Sequence, residues 1–123
     1  MSKYVETKYS NKKEILKFPD HYVAVAVTVD DAGVTANAHG KKIVPAGTIL
    51  GGGVLIDSSK LAKKAKTTAD ISDADGVLLN DTDVTYGPAP GAMVIHGFID
   101  MGKIPNAPDA AETGTLKQIT FLK

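Results

Sequence analysis

Hydrophobic and polar positions alternate most cleanly over residues 22–29, YVAVAVTV, where Val23, Val25, Val27 and Val29 share one face and Ala24, Ala26 and Thr28 the other. This period of two predicts a strand. The small residues of its second face suit close approach by another layer or another subunit, or plain packing within the monomer. Two further apolar runs, residues 76–86 and 93–101, are joined through Gly87, Pro88, Pro90 and Gly91 and read as paired strands. In the first, Val77, Leu78, Leu79 and Val84 alternate imperfectly with Asn80, Asp81, Thr82 and Asp83, as where a buried strand emerges into solvent. In the second, Met93, Ile95, Ile99 and Met101 are expected on one face and Val94, His96, Phe98 and Asp100 on the other.

Shorter signals fill the rest of the chain. Residues 43–50 read as a strand entered through Pro45 and Gly47, which begins there or lies at an edge because Pro45 has no donor. Residues 116–122 predict a closing strand, preceded by a short helix capped by Asn106, with Pro108 in its first turn and Gly114 at its stop. Residues 57–70 carry Lys60, Lys63, Lys64 and Lys66 around a thin Leu61–Ala65 stripe, and read as one or two helical turns or as a solvated excursion. Residues 1–19 read as a flexible N-terminal arm, either loosely packed or ordering on a partner by strand addition, with Tyr4, Val5 and Tyr9 as anchors and Ile15, Leu16 and Phe18 as its other apolar groups. Residues 20–123 then form a single β-rich domain of short strands, a small barrel or sandwich with one or two short helices.

Composition narrows the chemistry. The interior of a 123-residue chain with three Phe, four Tyr and no Trp is built from Val, Ile, Leu and Ala, which favours a small β core over a deep aromatic pocket. Formal charge is zero and all 14 basic residues are lysines. Without the bidentate fork of arginine or a net basic footprint, nucleic acid is not expected as a partner. There is no cysteine for a disulfide, a thiolate metal site or a thiol nucleophile. No apolar run nears the roughly 18 residues of a membrane span, and no signal-peptide pattern follows the Lys-rich start, so a soluble protein made in the cytoplasm is expected.

Candidate reactive groups are few. Gly51, Gly52 and Gly53 lack the Lys-Ser or Lys-Thr register of a phosphate loop and read as a turn. Asp81 and Asp83 with a cross-strand His96 are the strongest local case for a metal, against the alternative that strand-end acids simply face water. Asp73 and Asp75 miss a calcium-loop pattern, with Ile71 at its first ligand position. Ser2, Ser10, Ser58, Ser59 and Ser72 stand in no nucleophile motif. No catalytic, cofactor-binding or metal residue is assigned and no cofactor is expected. A small β-barrel enzyme or metal-dependent binding module centred on Asp81, Asp83 and His96 is the alternative.

The segments VPAGTILGGG and DADGVLLNDTDVTYGPAPGAMVIHGFIDMGKIP, in a likeness covering roughly residues 40–122, resemble phage head decoration proteins of the lambda type, including prophage relatives in Gram-positive bacteria. The matching features are Ala46-Gly47-Thr48 entering a strand, a strand at Asp75-Gly76-Val77-Leu78-Leu79, a strand over residues 94–99 with internal Gly97, and a terminal strand after a short helix. The resemblance implies a β-clip-like fold and a homotrimer on the outside of the expanded head at three-fold positions. There it would bind the major capsid protein and stabilise the shell against packaged DNA. It also implies an N-terminal capsid-binding arm, matched by residues 1–19 in position and character only. Val23, Val25 and Val27 are the expected subunit interface. The Lys-rich residues 57–70 have no counterpart in the family, and a tail or fibre protein is the other virion reading.

Overall fold

With β-branched valine at every second position and no charge along it, strand β1 (Val23–Val29) forms where the alternation places it. A computed structural model describes residues 14–68 and 71–123. After β1 come β2 (Ile43–Val44), β3 (Ile49–Gly51), β4 (Lys63–Lys64), β5 (Thr67–Thr68), β6 (Ile71–Ser72), β7 (Ala74–Leu78), β8 (Thr82–Asp83), β9 (Ala89–Asp100) and β10 (Ile119–Leu122). One short α-helix, α1 (Ala110–Thr115), precedes β10. The fold is mainly β with several antiparallel sheets, as the alternation predicts.

The main sheet runs in the order β1-β9-β7-β3-β4, and β10 joins β9 in parallel. Strand β9 is the hub. It takes β1 along its first half, β7 at Val94 and Met93, and β10 from Gly97 onward. Two small pairs, β2 with β8 and β5 with β6, complete the ladders.

The central strands are buried on both faces. Ile49, Val77 and Val94 enter one apolar cluster, while their neighbours Leu50, Leu78 and Met93 enter the other. A sheet covered on both sides selects near-continuous apolar runs, which is why alternation is imperfect at residues 77–79 and 93–95. The single odd-numbered face expected from Met93 to Met101 does not form. Val23 stands opposite His96 but Ala24 opposite Val94, so Ile95 is an extra residue in β9. Such a bulge reverses the sides taken by the later residues of the strand. Ile95 packs with the cluster of Met93, whereas Ile99 joins the cluster of Val94.

Other boundaries move for local reasons. Pro90 and Gly91 belong to β9, not to a loop. The Leu79 N–H donates to Ala92 O at 2.9 Å, so position 92 and its period-two neighbour Pro90 face away from β1 and no donor is missing from that ladder. Residues 43–50 split at a turn in which Thr48 N–H donates to Pro45 O at 3.2 Å. The helix starts at Asp109, whose N–H donates to Glu112 Oε1 at 2.8 Å, rather than at Asn106, and runs through Gly114. Residues 57–68 form turns and short strands instead of a helix, because Ala62 is fully buried and bridges Val29.

The largest change concerns the N-terminal segment. Ile15 and Leu16 are 0% and 5% exposed and sit in the cluster of Val94 and Ile99. Leu16 bridges Ile99, the Lys17 N–H donates to Phe98 O at 2.9 Å, and the Asp100 N–H donates to Ile15 O at 2.8 Å. Two adjacent aliphatic side chains that complete a core are not available to a free arm, so Ile15 and Leu16 belong to the domain.

Candidate assembly surface

The expected cluster of Asp81, Asp83 and His96 is not assembled. Asp81 Oδ1 accepts the Ala46 N–H at 2.7 Å and closes the turn before β3. Asp83 lies on β8 opposite Ile43, because the chain leaves β9 after Leu79 and pairs with β2 instead. His96, opposite Val23, has Nδ1 3.1 Å from Gln118 Oε1. Among the described residues no three His, Asp or Glu side chains gather to hold a metal.

The Asp83 carboxylate accepts from the Thr85 hydroxyl and from the Thr85 N–H at 2.9 Å. The hydroxyl bond first and the backbone bond second hold its carboxyl below the usual carboxylate value. A depressed folded value means a stabilising contribution present above the unfolded carboxylate range and lost as pH falls through the folded value. Thr85→Val is expected to move the Asp83 titration upward, toward the ordinary value, in a carbon-detected NMR titration. An unmoved titration would show that the hydroxyl is not the cause.

The triple glycine also resolves into structure. Asp75 Oδ2 accepts the Gly53 and Val54 N–H groups at 3.0 and 3.1 Å. Backbone donors converging on an anion are what makes a glycine turn look like a phosphate cradle, and here the anion is the chain's own carboxylate. The Lys-rich segment is pinned as well. Asp57 Oδ1 accepts from Ser59 N–H and hydroxyl at 3.0 and 2.6 Å, and Lys63 Nζ lies 3.9 Å from Asp30 Oδ2. A cleft of about 250 Å³ is lined by Val29, Val44, Leu50, Asp30, Lys63 and Glu112. Its carboxylates are engaged locally, Asp30 with the Ala32 N–H and Glu112 with the Asp109 N–H.

Among the described residues the exposed large apolar side chains are Leu55, Ile56, Ile71 and Tyr86, and those of a strip that leads into β1. Phe18, Tyr22 and Val23 are 48%, 42% and 50% exposed, although Phe18 rests edge-on against Phe98 at 5.3 Å between ring centres. Val25 and Val27 are half-buried against the cluster of Met93. Beside them a groove of about 180 Å³ separates Val25, Ala26 and Val27 from Val54, Leu55 and Lys60, with Leu55 half exposed. Among the described residues the outer edge of β1 is closed only at its end, where the Ala62 N–H donates to Thr28 O at 2.8 Å and the Asp30 N–H to Ala62 O at 2.9 Å. The alternation located the strand but not its place at the margin of the sheet. The small, uncharged Ala24 and Ala26 were the available signal for that. Of the expected arm residues, Phe18 joins this strip, Ile15 and Leu16 are in the core, and Tyr4, Val5 and Tyr9 lie outside the described residues.

No protein-family model matches the chain, and no curated protein matches it.

Proposed function

We propose that this chain is a viral structural protein, a decoration protein that assembles as a homotrimer on the outer surface of an expanded phage head and stiffens it against packaged DNA. The observation that carries this reading is the exposed apolar strip of Phe18, Tyr22, Val23 and the β1 edge, without charge from Tyr22 to Val29, an area suited to protein contact rather than to a small reactant. The sequence features that resemble the decoration family support it. Ala46-Gly47-Thr48 is the turn into β3, residues 75–78 are in β7, residues 94–99 in β9, and the terminal strand is β10 after α1. They form one connected body around the hub strand. The protein would be made in the host cytoplasm and end in the virion, with the major capsid protein as partner and no cofactor or chemistry of its own.

In this reading residues 1–13, with Tyr4, Val5 and Tyr9, bind the capsid. Leu16, bridged to Ile99, ties the chain that follows them to the hub strand. Three arms on one trimer raise the effective concentration of each, so modest single contacts add to firm attachment. Purified expanded heads lacking decoration should be saturated by the full chain. A chain lacking residues 1–13, which keeps Ile15 and Leu16, should bind at least about 100-fold more weakly. Unchanged occupancy by the shortened chain would sink the arm assignment. Binding to tails and not to heads would replace the decoration reading with a tail or fibre one.

A further inference from the structure

The two margins of the main sheet are treated differently by the sequence. The β4 margin carries Lys63 and Lys64, both exposed, and charged side chains on an edge strand oppose pairing with another chain. The β1 margin has no charge from Tyr22 to Val29. Its backbone is also oriented for pairing. Thr28 O accepts from Ala62 on the outer side, so by the period of two the N–H and C=O of Ala26 and Ala24 point outward as well. Among the described residues nothing bonds to them.

The geometry points to a second copy of this chain as the occupant of that edge, paired antiparallel about a two-fold axis through Val25. The open stretch, Val-Ala-Val-Ala-Val at residues 23–27, reads the same in both directions. Centred on Val25, it sets Ala24 opposite Ala26 of the second copy and Val23 opposite Val27. Each Ala24–Ala26 couple exchanges a pair of N–H···O=C bonds, and Val25 meets Val25 at the closely spaced, non-hydrogen-bonded site between them. The paired β1 residues carry no charge, whereas pairing with the β4 margin would desolvate Lys63 and Lys64. The ladder stops where Ala62 covers Thr28.

Identical edges pair only about a two-fold axis, and a ring of three needs unlike surfaces. The β1 contact therefore is not the one that closes a trimer. In a three-fold assembly it joins one trimer to the next, because neighbouring three-fold positions of a closed shell are related by two-folds. This pairing does not depend on the decoration reading.

The chain contains no cysteine, so Val25→Cys introduces a unique thiol. Under mild oxidation this variant should give a covalent dimer on a non-reducing gel, well above that from Ile71→Cys, whose side chain is 77% exposed on β6 and reports random collision. Adding Ala26→Lys, at an exposed position, should suppress the cross-link while the circular dichroism spectrum is retained. Sedimentation should show concentration-dependent doubling, monomer to dimer or trimer to hexamer, that Ala26→Lys removes. A cross-link no greater than that of Ile71→Cys, or one that survives Ala26→Lys, overturns the proposal. The size of the unit that doubles reports separately on the trimer.

Discussion

Replacing Ile15 and Leu16 together by alanine is expected to destabilise the fold by about 4–10 kcal/mol, since each large-to-alanine change in a packed core costs about 2–5 kcal/mol. Both side chains are buried, and both pack with Ile99 and Val94 on the hub strand. A domain of this size is held by only about 5–15 kcal/mol, so the double variant should be largely unfolded at moderate urea or already in buffer. Urea denaturation followed by far-ultraviolet circular dichroism measures it. Lys17→Ala is the contrast. The Lys17 ammonium lies 3.9 Å from Asp100 and is substantially solvated, so its loss should cost no more than about 1 kcal/mol. Wild-type stability in the double alanine variant would show that residues 15 and 16 are not core. The practical consequence bears on arm deletions. A cut after residue 19 removes core side chains and confounds folding with binding, whereas a cut after residue 13 does not remove them.

The second large effect is expected from Gly76→Ala. Gly76 lies in β7 between β3 and β9, opposite Leu50. A Cβ there would fall 2.5 Å from Val94 O and 2.6 Å from Met93 Cγ. The methionine can swing aside, but the carbonyl belongs to the hub strand and cannot move without parting β7 from β9. Overpacking that displaces backbone should cost about 3 kcal/mol, at the upper end for one added methyl. Gly114→Ala provides the opposite sign. Its Cβ would meet nothing within 4 Å in the helix α1, and reduced freedom of the unfolded chain should stabilise by about 0.4–1 kcal/mol. Thermal denaturation of the two variants side by side checks both. A neutral Gly76→Ala would mean that the close approach of β7 to β9 is absent.

These two sites show where local reading succeeds and where it stops. The Val23–Val29 alternation specifies a strand without help from anything distant. The apolar runs at residues 77–79 and 93–95 specify strands too, but doubly covered ones, and the two cores become visible only when Leu78 and Val77 are seen to point apart. Asp83 and His96 come together only if the first of two consecutive strands continues along the second. Instead Thr82 and Asp83 pair with Val44 and Ile43, some forty positions earlier in the chain. Pairing at that separation is decided by which apolar faces must be covered, and no window of a few residues contains it.

Ile15 and Leu16 make the same point from the other side. Among lysines at the start of a chain they resemble an unstructured tail. Only the open flank of β9 at Phe98 to Asp100, beyond the end of β1, gives them a place in the core. The β class, the valine strand and the shortage of reactive groups are legible in the residues alone, because they are matters of side-chain period and inventory. That β9 is the hub, and that β1 stands at the margin with the backbone of Ala24 and Ala26 turned outward, emerges only in the folded chain. Burial and edge exposure are properties of how strands are ordered, and strand order is set by packing between distant parts of the chain.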